Sequence, residues 1–205
     1  MYGKAYSNLL ISENAFNTVC RLEEELAPVF RRIESIECEN EAKVLAAFHK
    51  NRVAAHYFNP TTGYGYDDIG RDNLDKVFAD AFGAESAIVS PQLISGTHAI
   101  FTVLSGLLRH GDLLLAVSGK PYDTLEEVIG IRDSVGSLKE YGVSYRQVDL
   151  LPDGTFDYEN IAKAINEKTK LVTIQRSKGY DPRPTFSVKQ IGELIAFVKK
   201  IKPEV

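Results

Sequence analysis

The sequence predicts an α/β fold, with amino-terminal helices followed by a mostly parallel sheet covered on both faces. Three observations carry that reading. Apolar residues recur at helical spacing through the first forty residues. Beyond Gly83, short apolar runs of strand length alternate with helical patterns. The runs are rich in apolar residues, as strands covered on both faces are.

Leu22, Leu26, Val29, Phe30, Ile33 and Ile36 mark the first helix, in which Pro28 predicts a kink or a restart. A second helix is expected from Asn40, carrying Val44, Leu45 and Phe48. The stretch HYFNPTTGYGYDDIG, residues 56–70, reads as a loop. Leu74, Val77, Phe78 and Ala81 rebuild a helical face that Gly83 is placed to end. Strands are expected over 87–89, 112–117, 143–150 and 171–175, with helices over 99–108, 124–130 and 160–165 between them. Ser187-Val-Lys-Gln190 has the capping-box form and opens a last helix through Ile191, Leu194, Ile195 and Val198. Thr124-Leu-Glu-Glu127 has the same form, and Asp123 reads as the N-cap there.

A chain of 205 residues, 44% hydrophobic and 25% charged, can bury a real core. A net charge of −4 without a Lys/Arg block argues against a nucleic-acid partner. Cys20 and Cys38 cannot build a disulfide framework or a four-ligand zinc site. His49, His56, His98 and His110 show no paired ligand spacing. No apolar run approaches bilayer length, and MYGKAYSNLLISENAF lacks the layout of a signal peptide, so no membrane partner is expected and the cytoplasm is the expected compartment.

The stretch SPQLISGTHAI, from Ser90, turns a predicted strand into a helix. Gly96 bends the chain and Thr97 is read as the cap, while free amides at a helix start suit an anion. Open parallel sheets bind ligands at the carboxyl ends of their strands. Three unusual loops are expected there: SPQLISGT, SGKPYDT and QRSKGYDPRP. A dinucleotide site lacks support, because Gly63-Tyr-Gly65 follows no strand and lacks the third glycine. A P-loop fails at Leu114 and Pro121. Pyridoxal 5'-phosphate fits better, with Ser95-Gly96-Thr97 for its phosphate and Tyr122 for its ring.

The run GRDNLDKVFADAFGAESAIVSPQLISGTHAIFTVLSGLLRHGDLLLAVSGKPYDTLEEVIG resembles the aluminium-resistance protein family, related to cystathionine beta-lyase and methionine gamma-lyase. GSLKEYGVSYRQVDL and TKLVTIQRSKGYDPRPTFSV continue the resemblance through most of the chain. It implies the large domain of fold-type-I pyridoxal-phosphate enzymes over residues 56–205, after a helical segment over 1–55. It implies that the main-chain N–H groups of Gly96 and Thr97, with Ser95, hold the phosphate and that Tyr122 stacks on the ring. Tyr64 and Tyr66 match an aromatic loop that reaches a neighbouring subunit's cofactor, so a homodimer or homotetramer is expected. Arg176 and Ser177 fall in a loop lining the substrate site; an arginine fork there would suit an amino-acid carboxylate, and Arg183 offers a second.

The family's Schiff-base lysine and ring-nitrogen aspartate come later than Val205, so the chain is expected to be the amino-terminal half of a longer enzyme. Neither Lys178 nor Lys120 is expected to replace that lysine. The implied activity is carbon–sulfur lysis of sulfur amino acids by the parent, with this half inactive alone. The alternatives are another reaction on the same scaffold, transamination or decarboxylation, or a non-catalytic fragment or interaction module.

Overall fold

The structure is a computed structural model and describes residues 11–60 and 68–205. The chain divides into two compact units, Met1–Pro91 and Gln92–Val205.

In the first unit, α1 runs unbroken over Glu13–Lys50, with Ser12 as its N-cap accepting from the Ala15 amide. No restart occurs at Pro28, and the second helix expected from Asn40 is not a separate element. Pro28 removes one intrahelical bond, but strong helix formers (Leu, Glu, Ala and Arg) surround it, and the helix continues. Asn40 does not cap; its Nδ2 donates to the Ile36 carbonyl at 2.8 Å. A 3₁₀ turn, Ala55–Phe58, leads towards α2, Ile69–Phe82. Asp68 caps α2 by accepting from the Gly70 and Arg71 amides, and Gly83 ends it at φ 64° as its position predicts. Lys50 and Asn51 both bind the Asp80 carboxylate and so fasten α1 to α2.

The strand expected at 87–89 does not form. The Val89 amide donates to Asp75 Oδ1 at 2.6 Å instead of to a neighbouring strand, and Ile88 is 79% exposed. Three apolar residues without a strand to pair with have no ladder to join.

The second unit contains α3, Gly96–Leu107; β1, Leu113–Ala116; α4, Asp123–Ile129; β2, Ser144–Gln147; α5, Tyr158–Ala164; β3, Thr169–Thr173; and α6, Val188–Ile201. The strands form one parallel sheet in the order β2-β1-β3. Successive side chains of a strand face opposite ways, and β1 uses this fully. Leu114 packs with Leu104, Leu108, Leu125 and Ile129 of the α3 and α4 side. Leu115 packs on the other face with Ile161, Ala164, Leu194 and Val198 of α5 and α6. The sheet is covered on both faces, which is why β1 is buried throughout.

Two helix starts differ from the sequence reading. Ser95, not Thr97, caps α3: its side chain accepts from the His98 amide at 3.0 Å. Tyr122, not Asp123, is the N-cap of α4 and makes no side-chain cap bond. Asp123 is the first helical residue, with Oδ1 accepting from the Thr124 amide. The capping-box form at Thr124 is also unused, since Thr124 lies inside the helix. At Ser187 the capping box is complete, with the Gln190 side chain accepting from the Ser187 amide at 2.9 Å.

Candidate functional site

β1 and β3 are neighbours, yet their outgoing loops lead to opposite faces of the sheet. The loop after β1 enters α4 on one side, and the loop after β3 reaches α6 on the other. Such a divergence opens a crevice at the carboxyl ends of the strands. Ser118 follows β1 and Gln175 follows β3, and they meet there: the Gln175 amide donates to Ser118 Oγ at 2.8 Å. The Gln175 side chain bridges further, with Oε1 accepting from the Tyr122 amide at 2.8 Å and Nε2 donating to the Ser177 carbonyl at 3.0 Å.

Tyr122 is thus fixed by its main chain, while the residue as a whole remains 40% exposed. One ring edge lies against Gly179, where an added Cβ would sit 2.9 Å from Cε2. Gly179 also adopts φ 56°, so both space and backbone conformation call for glycine.

The start of α3 joins this group. Thr97 Oγ1 hydrogen-bonds Thr124 Oγ1 at 2.9 Å, tying the first turn of α3 to that of α4. Within that turn the Ser95 side chain satisfies only the His98 amide. The Gly96 and Thr97 amides are among those a helix leaves without an intrahelical acceptor. Among the described residues a Cβ at Gly96 would meet nothing within 4 Å. The arrangement can therefore receive an anionic group at the α3 amides and a planar ring at Tyr122, because one hydrogen bond separates their helices.

The other predicted residues divide sharply. Arg176 is exposed and anchored at one nitrogen, with Nε donating to the Phe186 carbonyl at 3.2 Å. Ser177 is exposed and contributes its carbonyl to the loop. Arg183, weighed as a carboxylate fork, is committed elsewhere. Its Nη2 donates to the Gln175 and Ser177 carbonyls at 2.9 and 2.7 Å, its guanidinium lies 4.8 Å from the Phe186 ring centroid, and its side chain is only 9% exposed. It is a clamp for the loop after β3. Lys120 pairs with the buried Glu126 at 2.8 Å, and Lys178 stands exposed. Tyr64 and Tyr66 lie outside the described residues.

Sequence reasoning missed Gln175, Ser118 and Thr124. Polar residues closing the runs at 113–117 and 171–174 were the available signal for the first two. Their partners lie tens of residues away, so the pairing itself had no local trace.

Among the described residues, no helix is long and apolar enough to cross a membrane. The sequence profile of the methionine gamma-lyase family matches residues 15–205. The chain is 50% identical over 198 residues to the uncharacterized protein YnbB of Bacillus subtilis, an alignment covering 96% of this chain and 47% of that protein. Its fold superposes with a TM-score of 0.90 on a carbon-sulfur lyase involved in aluminum resistance from Clostridium novyi, at 38% identity over 99% of this chain and 49% of the other. A candidate cystathionine beta-lyase involved in aluminum resistance from Listeria innocua gives a TM-score of 0.91 and 48% identity, over 95% of this chain and 48% of that one. The chain spans about half the length of these relatives.

Proposed function

The chain belongs to the methionine gamma-lyase family, and on that premise we propose that it is the cofactor-anchoring half of a pyridoxal 5'-phosphate-dependent carbon–sulfur lyase acting on sulfur amino acids. The observation that carries the reading is the crevice in which the α3 start and Tyr122 are tied together through Thr97–Thr124 and Gln175. The residues present fit this cofactor. Gly96 has room for a Cβ beside amides suited to a phosphate, and Tyr122, on the helix tied to that start, is exposed.

Bound there, the cofactor would supply an electron sink for bond breaking at the substrate's α-carbon. The chain's own residues do the positioning. The Gly96 and Thr97 amides bind the phosphate, reinforced by the α3 dipole, while the Ser95 side chain holds the turn in shape. The Tyr122 ring packs on the pyridine face, and Gln175 keeps the loop carrying Tyr122 from moving off it. Arg176, held at Nε, offers its remaining nitrogens to a substrate carboxylate, with Ser177 beside it. Lys178 stands exposed and Lys120 is engaged by Glu126, so neither is assigned the part of the covalent lysine. The parent is at least a dimer.

Thiol release from a panel of sulfur amino acids by the full-length parent tests the reaction. A lyase releases thiol together with a 2-oxo acid and ammonia. Conversion of the amino group without thiol release would replace lysis with transamination, and carbon dioxide release would replace it with decarboxylation.

A further inference from the structure

The fold all but buries the Arg183 guanidinium beside a loose carboxylate partner: Asp181 Oδ2 stands 3.7 Å from Nε, and the Asp181 side chain is 57% exposed. A cation taken out of water needs compensation at its own donors. Main-chain oxygens supply it here. Nη2 donates to the Gln175 and Ser177 carbonyls, and the guanidinium lies over the Phe186 ring. One cation thereby ties the loop after β3 back to the strand it leaves.

That closure reaches Tyr122. The Ser177 carbonyl can only accept, and it takes Nε2 of the Gln175 side chain. The Gln175 amide is then left with one orientation, in which Oε1 faces the Tyr122 N–H. A reversed amide would set donor against donor at Tyr122 and oxygen against oxygen at Ser177. Arg183 therefore stands at the far end of a three-bond chain, through Ser177 and Gln175, that terminates at the Tyr122 amide. Phe186 adds the second link, since its ring carries Arg183 while its carbonyl accepts from Arg176 Nε.

We infer that Arg183 is a positioning residue, which acts through Gln175 to hold Tyr122 and joins the loop of Arg176 to the loop of Tyr122. The inference rests on the reading of Tyr122 as the ring platform and of Arg176 as the carboxylate fork.

Amide hydrogen exchange in the 205-residue chain, followed by NMR without cofactor, tests the chain of bonds. The Val117 amide, bonded to the Thr173 carbonyl in the sheet, is the internal reference. Gln175→Leu removes the acceptor and should speed exchange at Tyr122 roughly tenfold. Arg183→Met should speed it about as much, with Val117 kept within about twofold. Added to Gln175→Leu, it should change nothing further, because both substitutions act on one bond. A role confined to general stability would speed Tyr122 and Val117 together and would persist in the Gln175→Leu background. Either of those results overturns the inference, as does an unaltered Tyr122 amide in Arg183→Met. Should Arg183→Met fail to fold, Arg183→Lys keeps the charge without the planar fork. It is expected to speed exchange at Tyr122 about threefold, and no change there overturns the inference.

Titration with pyridoxal 5'-phosphate separates this from the reading beneath it. Arg183→Met should weaken binding roughly fivefold in the otherwise unaltered chain and leave it unchanged in the Gln175→Leu background. Faster exchange at Tyr122 with unaltered cofactor affinity would support the hold of Arg183 on Tyr122 and overturn the placing of the cofactor ring there.

Discussion

Tyr122 is held at its amide by Gln175 and at its ring edge by Gly179, so substitution at its side chain leaves the loop anchored. Tyr122→Phe is expected to keep cofactor affinity close to wild type. Tyr122→Ala should weaken it about tenfold, the worth of a stacked ring. Equal retention by both variants in an absorbance titration would make Tyr122 a turn residue. Tyr145 gives a prediction about pH. Burial first, then the Asp149 and Glu126 charges, raise its hydroxyl well above the ordinary phenol range. The folded state thus holds this proton more tightly than the unfolded chain. The stability tied to it is whole below about pH 10, where the free phenol titrates, and is lost as pH rises beyond. Denaturant midpoints should fall along that alkaline limb, and Tyr145→Phe should flatten it. An unaltered limb in that variant would assign the loss to other groups. Single-residue roles were legible where the chemistry is local, as at Gly83 and Ser187. They were misread where the fold decides: Arg183 spends its fork on carbonyls of its own loop, and the amide of Tyr122, the cap of α4, is fixed by Gln175, 53 residues on.

At the scale of elements, the capping box of α6 joins Ser187 and Gln190 reciprocally and positions a helix whose Leu194 and Val198 complete the core over one sheet face. Ser187→Ala should cost about 1 kcal/mol, read as a lowered urea midpoint with an unchanged slope. A loss within error would mean that core packing alone sets the α6 start. β1 and the helices follow from the sequence because their apolar periods are strong and their ends are marked by Gly, Ser or Asp, while β2 and β3, which carry polar residues, follow from the strand–helix alternation around them. The one continuous α1 was not readable, since Pro28 and Asn40 are real local stop signals that a long run of helix formers overrides. The segment at 87–89 failed in the opposite sense. Its residues suit a strand, but a strand is a property of a pair, and Asp75 takes the Val89 amide.

For the whole molecule, the division of labour follows from length and topology. The chain covers about half of its relatives, and its sheet carries the loops that meet at one crevice. For the loops after β1 and β3 the crevice at the carboxyl ends was foreseeable from strand–helix alternation, because parallel topology places such loops at one end, whereas SPQLISGT follows no strand. The hydrogen bonds that join them were not, as Thr97–Thr124 and Ser118–Gln175 span 27 and 57 residues. The central claim is that the α3 start holds the cofactor's phosphate, and Gly96 offers the cleanest test. A side chain there crowds nothing in the protein itself, so a folded Gly96→Val variant loses only what the open space was for. We would titrate the 205-residue chain and its Gly96→Val variant with pyridoxal 5'-phosphate, using pyridoxal as the control without phosphate. The account predicts tighter binding of the phosphorylated form, a loss on the order of 2–4 kcal/mol in the variant, and little change for pyridoxal. Equal affinity of wild type and folded variant for the phosphorylated form would contradict it.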